Sequence, residues 1–110
     1  MLVMTHWDKE TRILFLSGRF DKTARVPVET ALAESEGRSC NQVILDFSKV
    51  SSLDSAGIGK LLLLYHSLRK KGVALIVRNP RSSVEGLLHL VNMATLFPIV
   101  HHHPEVRSVA

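Results

Sequence analysis

A mixed α/β domain with a sheet of four to five strands, helices packed mainly on one face, is predicted by three observations. Short apolar stretches alternate with segments of helical period, in the order β-β-α-β-α-β-α-β. One stretch, Gln42 to Phe47, is almost continuously apolar and reads as a strand buried on both faces. The segment after it, Ala56 to Lys71, carries the strongest helical period in the chain, with Ile58, Leu61, Leu62, Tyr65 and Leu68 on one face.

The elements follow in order. Leu2 to Trp7 and Thr11 to Ser17 read as strands, joined by the polar turn Asp8-Lys9-Glu10 into a hairpin, with Gly18 ending the second. Thr23 is the candidate N-cap of a first helix carrying Ala24, Val28, Ala31 and Leu32 at helical spacing. Pro27 is tolerated only in a first turn, so regular helix is expected to begin between Ala24 and Pro27, with Gly37 as its stop. Gln42 to Phe47 contains neither Pro nor Gly and is expected at the centre of the sheet. Ser48 to Leu53 reads as a connecting loop, and Gly72 as the C-terminal cap of the helix after it. Val73 to Val77 is a further strand, and Asn79-Pro80 marks a turn. Ser82 or Ser83 can cap a helix running to about Leu90. Met93, Leu96 and Phe97 read as packing residues, and Ile99 to His101 as a short last strand. Pro104 to Ala110 has room for one helical turn.

The chain has 110 residues, which reads as a single domain over residues 1–110. Apolar residues at 45% and charged residues at 22% exclude disorder for most of it. Its net charge of +4 is modest and its basic residues are scattered, apart from Arg69-Lys70-Lys71, which suits the last turn of a helix. That pattern lacks the clustered basic face of a nucleic-acid binder. The lone Cys40 excludes an intrachain disulfide and a cysteine zinc cluster. Neither a signal peptide nor an apolar run of membrane-spanning length is present, so a cytoplasmic protein without membrane insertion is expected.

The densest polar constellation is Ser51-Ser52-Leu53-Asp54-Ser55-Ala56-Gly57-Ile58-Gly59, between the buried strand and the strongest helix. Ser55 stands at or beside a helix start, where partial positive charge and unpaired N–H groups suit an anion such as a phosphate. The competing reading is that Asp54 or Ser55 only caps the helix. The glycines do not form a phosphate-binding loop, for which a Gly-Lys-Ser/Thr ending is missing. Gly57 and Gly59 read instead as points of close approach for a neighbouring strand or a partner. Leu53 occupies the first glycine position of a Gly-x-Ser-x-Gly elbow, which argues against a serine hydrolase. His101-His102-His103 reads as a solvated strand end, because adjacent strand residues point to opposite faces and chelate poorly. His66 and His89 read as surface or boundary residues, and Trp7 as packing.

Val43-Ile44-Leu45-Asp46-Phe47 followed by Leu53-Asp54-Ser55-Ala56-Gly57-Ile58-Gly59 resembles the STAS domain of bacterial anti-sigma-factor antagonists. Leu16-Ser17-Gly18-Arg19-Phe20-Asp21 and Leu90 to Val100 are similar to two further stretches of that family, so the likeness spans nearly the whole chain. It implies a STAS-like fold, no cofactor, and a partner switch. By that resemblance Ser55 is the residue phosphorylated by a serine kinase that is also the anti-sigma factor, and a serine phosphatase reverses the modification. The unphosphorylated form binds the kinase, and Asp21 and Asp54 match positions near the contact. Ala56 replaces a second hydroxyl common in the family, Thr95 stands where glycine is frequent, and the short C-terminus implies a stunted last helix. An alternative within the same resemblance is a STAS subunit of a membrane ATP-binding-cassette lipid transporter, docking its ATPase subunit. A helical phase of about 100° per residue places Leu63 opposite the buried face, between Lys60 and Lys70. Leu63 and Lys60 therefore join Asp21, Asp54, Ser55 and Gly57 as candidate partner contacts on an expected monomer.

Overall fold

The computed structural model of the chain describes residues 1–34 and 38–101. Two strands open it, β1 (Leu2–Asp8) and β2 (Thr11–Phe20), followed by a 3-10 turn (Lys22–Ala24) and α1 (Arg25–Ala33). Then come β3 (Gln42–Leu53), α2 (Ser55–Lys70), β4 (Ala74–Arg78), α3 (Ser82–Leu90), a second 3-10 turn (Met93–Thr95) and β5 (Ile99–Val100). The strands lie in the order β1-β2-β3-β4-β5. β1 and β2 form an antiparallel hairpin, and every later neighbour pairs in parallel. The expected mixed sheet is therefore present, with β3 at its centre.

Alternation along the strands divides the sheet into two unlike faces. Leu14, Leu16, Val43, Leu45, Phe47, Leu75 and Val77 share one face and are buried under the helices with Val28, Leu61, Tyr65, Val84, Leu88 and Phe97. Ile13, Ile44 and Ile76 lie in one row across β2, β3 and β4 on the other face and stand outside this core. β3 is thus covered by helices on one face only, which corrects the expectation of a strand buried on both. On the second face Asp46 is closed over by its neighbours: Oδ2 accepts from Arg78 Nε at 2.9 Å, and Oδ1 from the Ser48 N–H and hydroxyl at 3.0 and 2.6 Å.

Two strands run further than the sequence suggests. β2 passes through Gly18, at φ 110°, to Phe20, and β3 passes through the supposed loop Ser48 to Leu53. The parallel ladder is interrupted between Phe15 and Ser17 and again between Gly18 and Arg19, then closes on Phe20 opposite Leu53. These bulges put Val50 and Leu53 into the core three residues apart, so neither a period of two nor an apolar run survives.

The helices show smaller corrections. Asp21, not Thr23, caps the turn leading into α1, and Pro27 falls in the first turn of α1, where its missing N–H costs nothing. The expected stop at Gly37 lies outside the described residues. α2 ends as anticipated at Gly72, which takes φ 72° while its N–H bonds Arg69 O and the Val73 N–H bonds Leu68 O. Its buried row is Leu61, Tyr65 and Leu68, with Ile58 and Leu64 flanking. Leu62 is 36% exposed rather than buried, because it falls about 100° from Leu61, past the edge of the covered arc. α3 begins at Ser82 with no side-chain cap from Ser82 or Ser83. Met93 and Phe97 pack in the core, whereas Leu96 is exposed. His66 and His89 are exposed. His101 bonds Glu85 at 3.1 Å, and that bond, aided by His89 and opposed by slight burial, holds the Glu85 carboxyl below its usual range. His102, His103 and the segment 104–110 lie outside the described residues.

Two ion pairs of contrasting burial test this packing. Asp46→Ala leaves Arg78, whose side chain is 13% exposed, without its partner, and urea unfolding should show a loss of about 3 kcal/mol. Arg25→Ala breaks an exposed pair with Glu29 and should change stability by less than about 0.5 kcal/mol.

Candidate functional site

The site is built where two parallel strands end together. Phe20 closes β2 directly opposite Leu53, which closes β3. The next residues, Asp21 and Asp54, leave adjacent strand ends at the same edge, and each turns its carboxylate onto the backbone of the helical turn it precedes. Asp21 Oδ1 accepts from the Thr23 N–H at 2.9 Å and its hydroxyl at 2.6 Å. Asp54 Oδ1 accepts from the Gly57 N–H at 2.8 Å, capping α2 while its own carbonyl accepts from the Ile58 N–H. The two Thr23 donors, hydroxyl first, hold the Asp21 carboxyl below its ordinary range, so it is ionised throughout neutral pH. That local bonding is complete above the usual carboxylate pKa and is lost only as pH falls through the lowered value.

Gly57 explains how the first turn of α2 comes so close to β2. A Cβ there would lie 1.9 Å from Phe20 O and 2.8 Å from its carbonyl carbon. Only a residue without a side chain fits, and Gly57 is buried beneath the site surface rather than on it. Gly59, two residues further along α2, is exposed, and a Cβ there would meet nothing within 4 Å.

With Asp54 serving as cap, Ser55 is left as the first residue of α2, exposed, and its hydroxyl bonds no group among the described residues. Of the two candidate caps, Asp54 is the one used, as the capping reading of the motif allows. Ser51 and Ser52 are also exposed, near the end of β3 before the motif. Lys60 is half-buried and Leu63 is 62% exposed, placed about 140° and 80° around the helix from Ser55. Leu62, which helical spacing alone assigns to the core, lies about 20° from Ser55 on the other side. The exposed face of α2 thus runs from Ser55 over the bare Gly59 to Leu62 and Leu63. Among the described residues no cluster of His, Cys, Asp and Glu is arranged to hold a metal, and no helix is long and apolar enough to cross a membrane. Two guanidiniums lie against the Trp7 ring, Arg12 at 4.8 Å and Arg38 at 4.3 Å from its centre.

Known proteins share this fold. The STAS domain profile matches residues 3–107. A 54-residue stretch is 41% identical to Sulfate transporter 1.2 of Arabidopsis thaliana, covering 49% of this chain and only 8% of the length of that curated relative. Among solved structures, the anti-sigma factor antagonist SpoIIAA of Bacillus in its unphosphorylated form is similar with a TM-score of 0.71 and 20% identity, over 97% of this chain and 93% of that one. The STAS domain of a SulP transporter from Vibrio cholerae is similar with a TM-score of 0.73 and 22% identity, over 91% and 79%. At these identities the solved structures establish the shared fold.

The two glycines of the motif separate packing from exposure. Gly57→Ala should destabilise by about 3 kcal/mol, since the atom it would strike is backbone. Gly59→Ala should stabilise by up to about 1 kcal/mol from helix propensity alone. Urea unfolding of both variants reads the two signs directly.

Proposed function

The chain belongs to the STAS domain family, and from that membership we propose that residues 1–110 act as one non-enzymatic binding module, a cytoplasmic anti-sigma-factor antagonist switched by phosphorylation of Ser55. The observation that carries this reading is the division of labour at the start of α2: Asp54 satisfies the helix, and the Ser55 hydroxyl is exposed and unengaged. A serine kinase would transfer the γ-phosphoryl group of ATP to Ser55 Oγ, with loss of the hydroxyl proton, and a serine phosphatase would hydrolyse the ester. The unmodified edge, made by Asp21, Asp54, Ser55, Lys60 and Leu63 with Gly57 beneath, would dock the kinase, which is also the anti-sigma factor.

The switch needs no refolding. Phosphorylation adds about −1.5 to −2 charges. The helix start tolerates them while the site is open to water. A partner that covers the site must desolvate a dianion flanked by the Asp54 carboxylate, at a cost of several kcal/mol. About 4 kcal/mol corresponds to roughly a thousandfold in affinity.

The similarity to STAS domains of a sulfate transporter and a SulP transporter supports a second reading, in which the same edge docks another part of a membrane transport system; the ATPase subunit of a lipid-transporting ATP-binding-cassette complex is the partner that the family resemblance adds. Co-purification with a membrane transport subunit, with Ser55 unmodified, would favour that reading.

Mass spectrometry of the protein after incubation with its kinase and ATP should place the phosphate on Ser55 and find none in Ser55→Ala. Ser55→Ala should bind the kinase at parent strength, and Ser55→Asp at least tenfold more weakly by calorimetry. Modification of Ser51 or Ser52, persisting in Ser55→Ala, would sink the assignment.

Asp21→Ala, Lys60→Glu and Leu63→Glu test the edge itself. All three should weaken kinase binding, and Lys60→Glu and Leu63→Glu should shift stability by no more than about 0.5 kcal/mol, because neither side chain lies in the core. Kinase binding by a folded Leu63→Glu at parent strength would move the docking surface elsewhere.

A further inference from the structure

The helices α1 and α2 leave between them, on the helix-covered face of the sheet, an open cavity of about 770 Å³. Its walls are apolar, formed by Phe20, Val28, Val43, Leu64, Leu68 and Val73. Its charged lining is cationic: Lys60, Lys71 and Arg38 stand around it, and the one acidic side chain, Glu29, is engaged by Arg25 at 3.0 Å. No ion pair among the described residues neutralises Lys60, Lys71 or Arg38.

A second feature adjoins one end. Arg12 is 2% exposed, and its only hydrogen bond among the described residues is from Nη2 to Ala31 O at 2.6 Å; Nε and Nη1 are buried without a partner there. Buried polar groups are almost always satisfied, and a buried cation lacking a counter-charge is costly. Arg12 pairs in register with Val43, a cavity wall, and shares the Trp7 ring with Arg38, a second cavity residue. Two guanidiniums therefore meet at an indole beside an apolar trough, with no carboxylate for either among the described residues.

We propose that this cavity binds a single-chain amphiphilic anion, a free long-chain carboxylate, with its head at Arg38, the lining cation beside Trp7 and Arg12, and its alkyl chain along the apolar walls. The volume is that of a small-molecule site. A carboxylate is the planar acceptor that a guanidinium fork matches, and the chain length supplies the apolar area that a small anion lacks. An acidic helix from a partner protein would use the rim charges but would leave the apolar trough beneath them unfilled. Lys60 and Leu63 line this cavity as well as the proposed docking edge, so the test uses residues outside that edge and stands apart from the switch.

The probe is palmitate, titrated calorimetrically into the full chain below its micelle concentration, with fluorescence of the sole tryptophan, Trp7, as a second readout. One molecule should bind per chain and change the Trp7 emission. Methyl palmitate, which keeps the tail and loses the charge, should bind at least tenfold more weakly. Arg38→Met should weaken palmitate at least tenfold, and Ser67→Phe, an exposed position filling the trough, should abolish binding with little change in melting temperature. Absence of binding, equal affinity for the methyl ester, adsorption of many molecules per chain, or indifference to both substitutions would overturn the proposal. So would an acidic amphipathic peptide that occupies the cavity when palmitate does not, which would assign it to a protein segment.

Discussion

The contact of Gly57 with the carbonyl of Phe20 is the constraint on which the rest of the site depends. With 1.9 Å available where a Cβ would stand, the first turn of α2 sits directly on the end of β2. That fixes the helix against a strand whose partner, β3, ends in register with it. The chain must then leave two adjacent strand ends and start two helical turns within one short edge. Each start has orphan N–H groups, and each finds its acceptor in the aspartate immediately after the strand. The carboxyl ends of parallel strands are where open α/β sheets place their ligands, and here the same edge presents a serine freed from structural duty.

The unlike faces of the sheet explain why that edge is rigid enough to act as a surface of fixed shape. The helix-covered face carries nearly all of the large buried side chains, so α2 is anchored by Leu61, Tyr65 and Leu68 and its opposite side is left to solvent. The other face relies on side chains of its own strands, with the isoleucine row and the Asp46–Arg78 pair closing it locally. A platform of this kind transmits a new charge as a change in contact energy rather than as a change in fold. Under the proposed switch, one modified oxygen would change the charge of that surface without any rearrangement of the fold.

The part of the fold legible in the sequence is the part written in short-range chemistry. The hairpin, the central strand, the long helix and its Gly72 ending follow from periodicity and from residues with strong local preferences, and the observed chain keeps them. The extension of β3 to Leu53 is hidden because the bulges in its pairing with β2 erase the alternation that marks a strand. Nothing inside Ser48 to Leu53 distinguishes a polar strand from a loop; the pairing that stabilises it comes from β2, distant in sequence. The Asp21 cap is obscured by Thr23, an equally good capping residue that serves here as the donor. Leu62 is misplaced because a helical wheel gives the direction of each side chain but not the width of the surface that covers it. The cap of α2 is legible only as a choice between Asp54 and Ser55, and the Asp54 to Gly57 bond makes that choice.

The geometry of this edge separates internal requirements from the side chains that face outward. Capping and close approach are internal requirements, met by Asp21, Asp54 and Gly57 whatever the partner is. They hold the position and orientation of the exposed residues but say nothing of their identity. On the proposed reading, partner choice would rest on the few side chains that the scaffold leaves unconstrained: the Ser55 hydroxyl, the bare backbone at Gly59, and the leucines at 62 and 63. An apolar pair beside a small hydroxyl favours a partner that buries the edge closely, and close burial is the condition under which an added phosphate is most costly. On the proposed reading, the apolar exposure of α2 and a sensitivity of Ser55 to added charge would be two consequences of one arrangement.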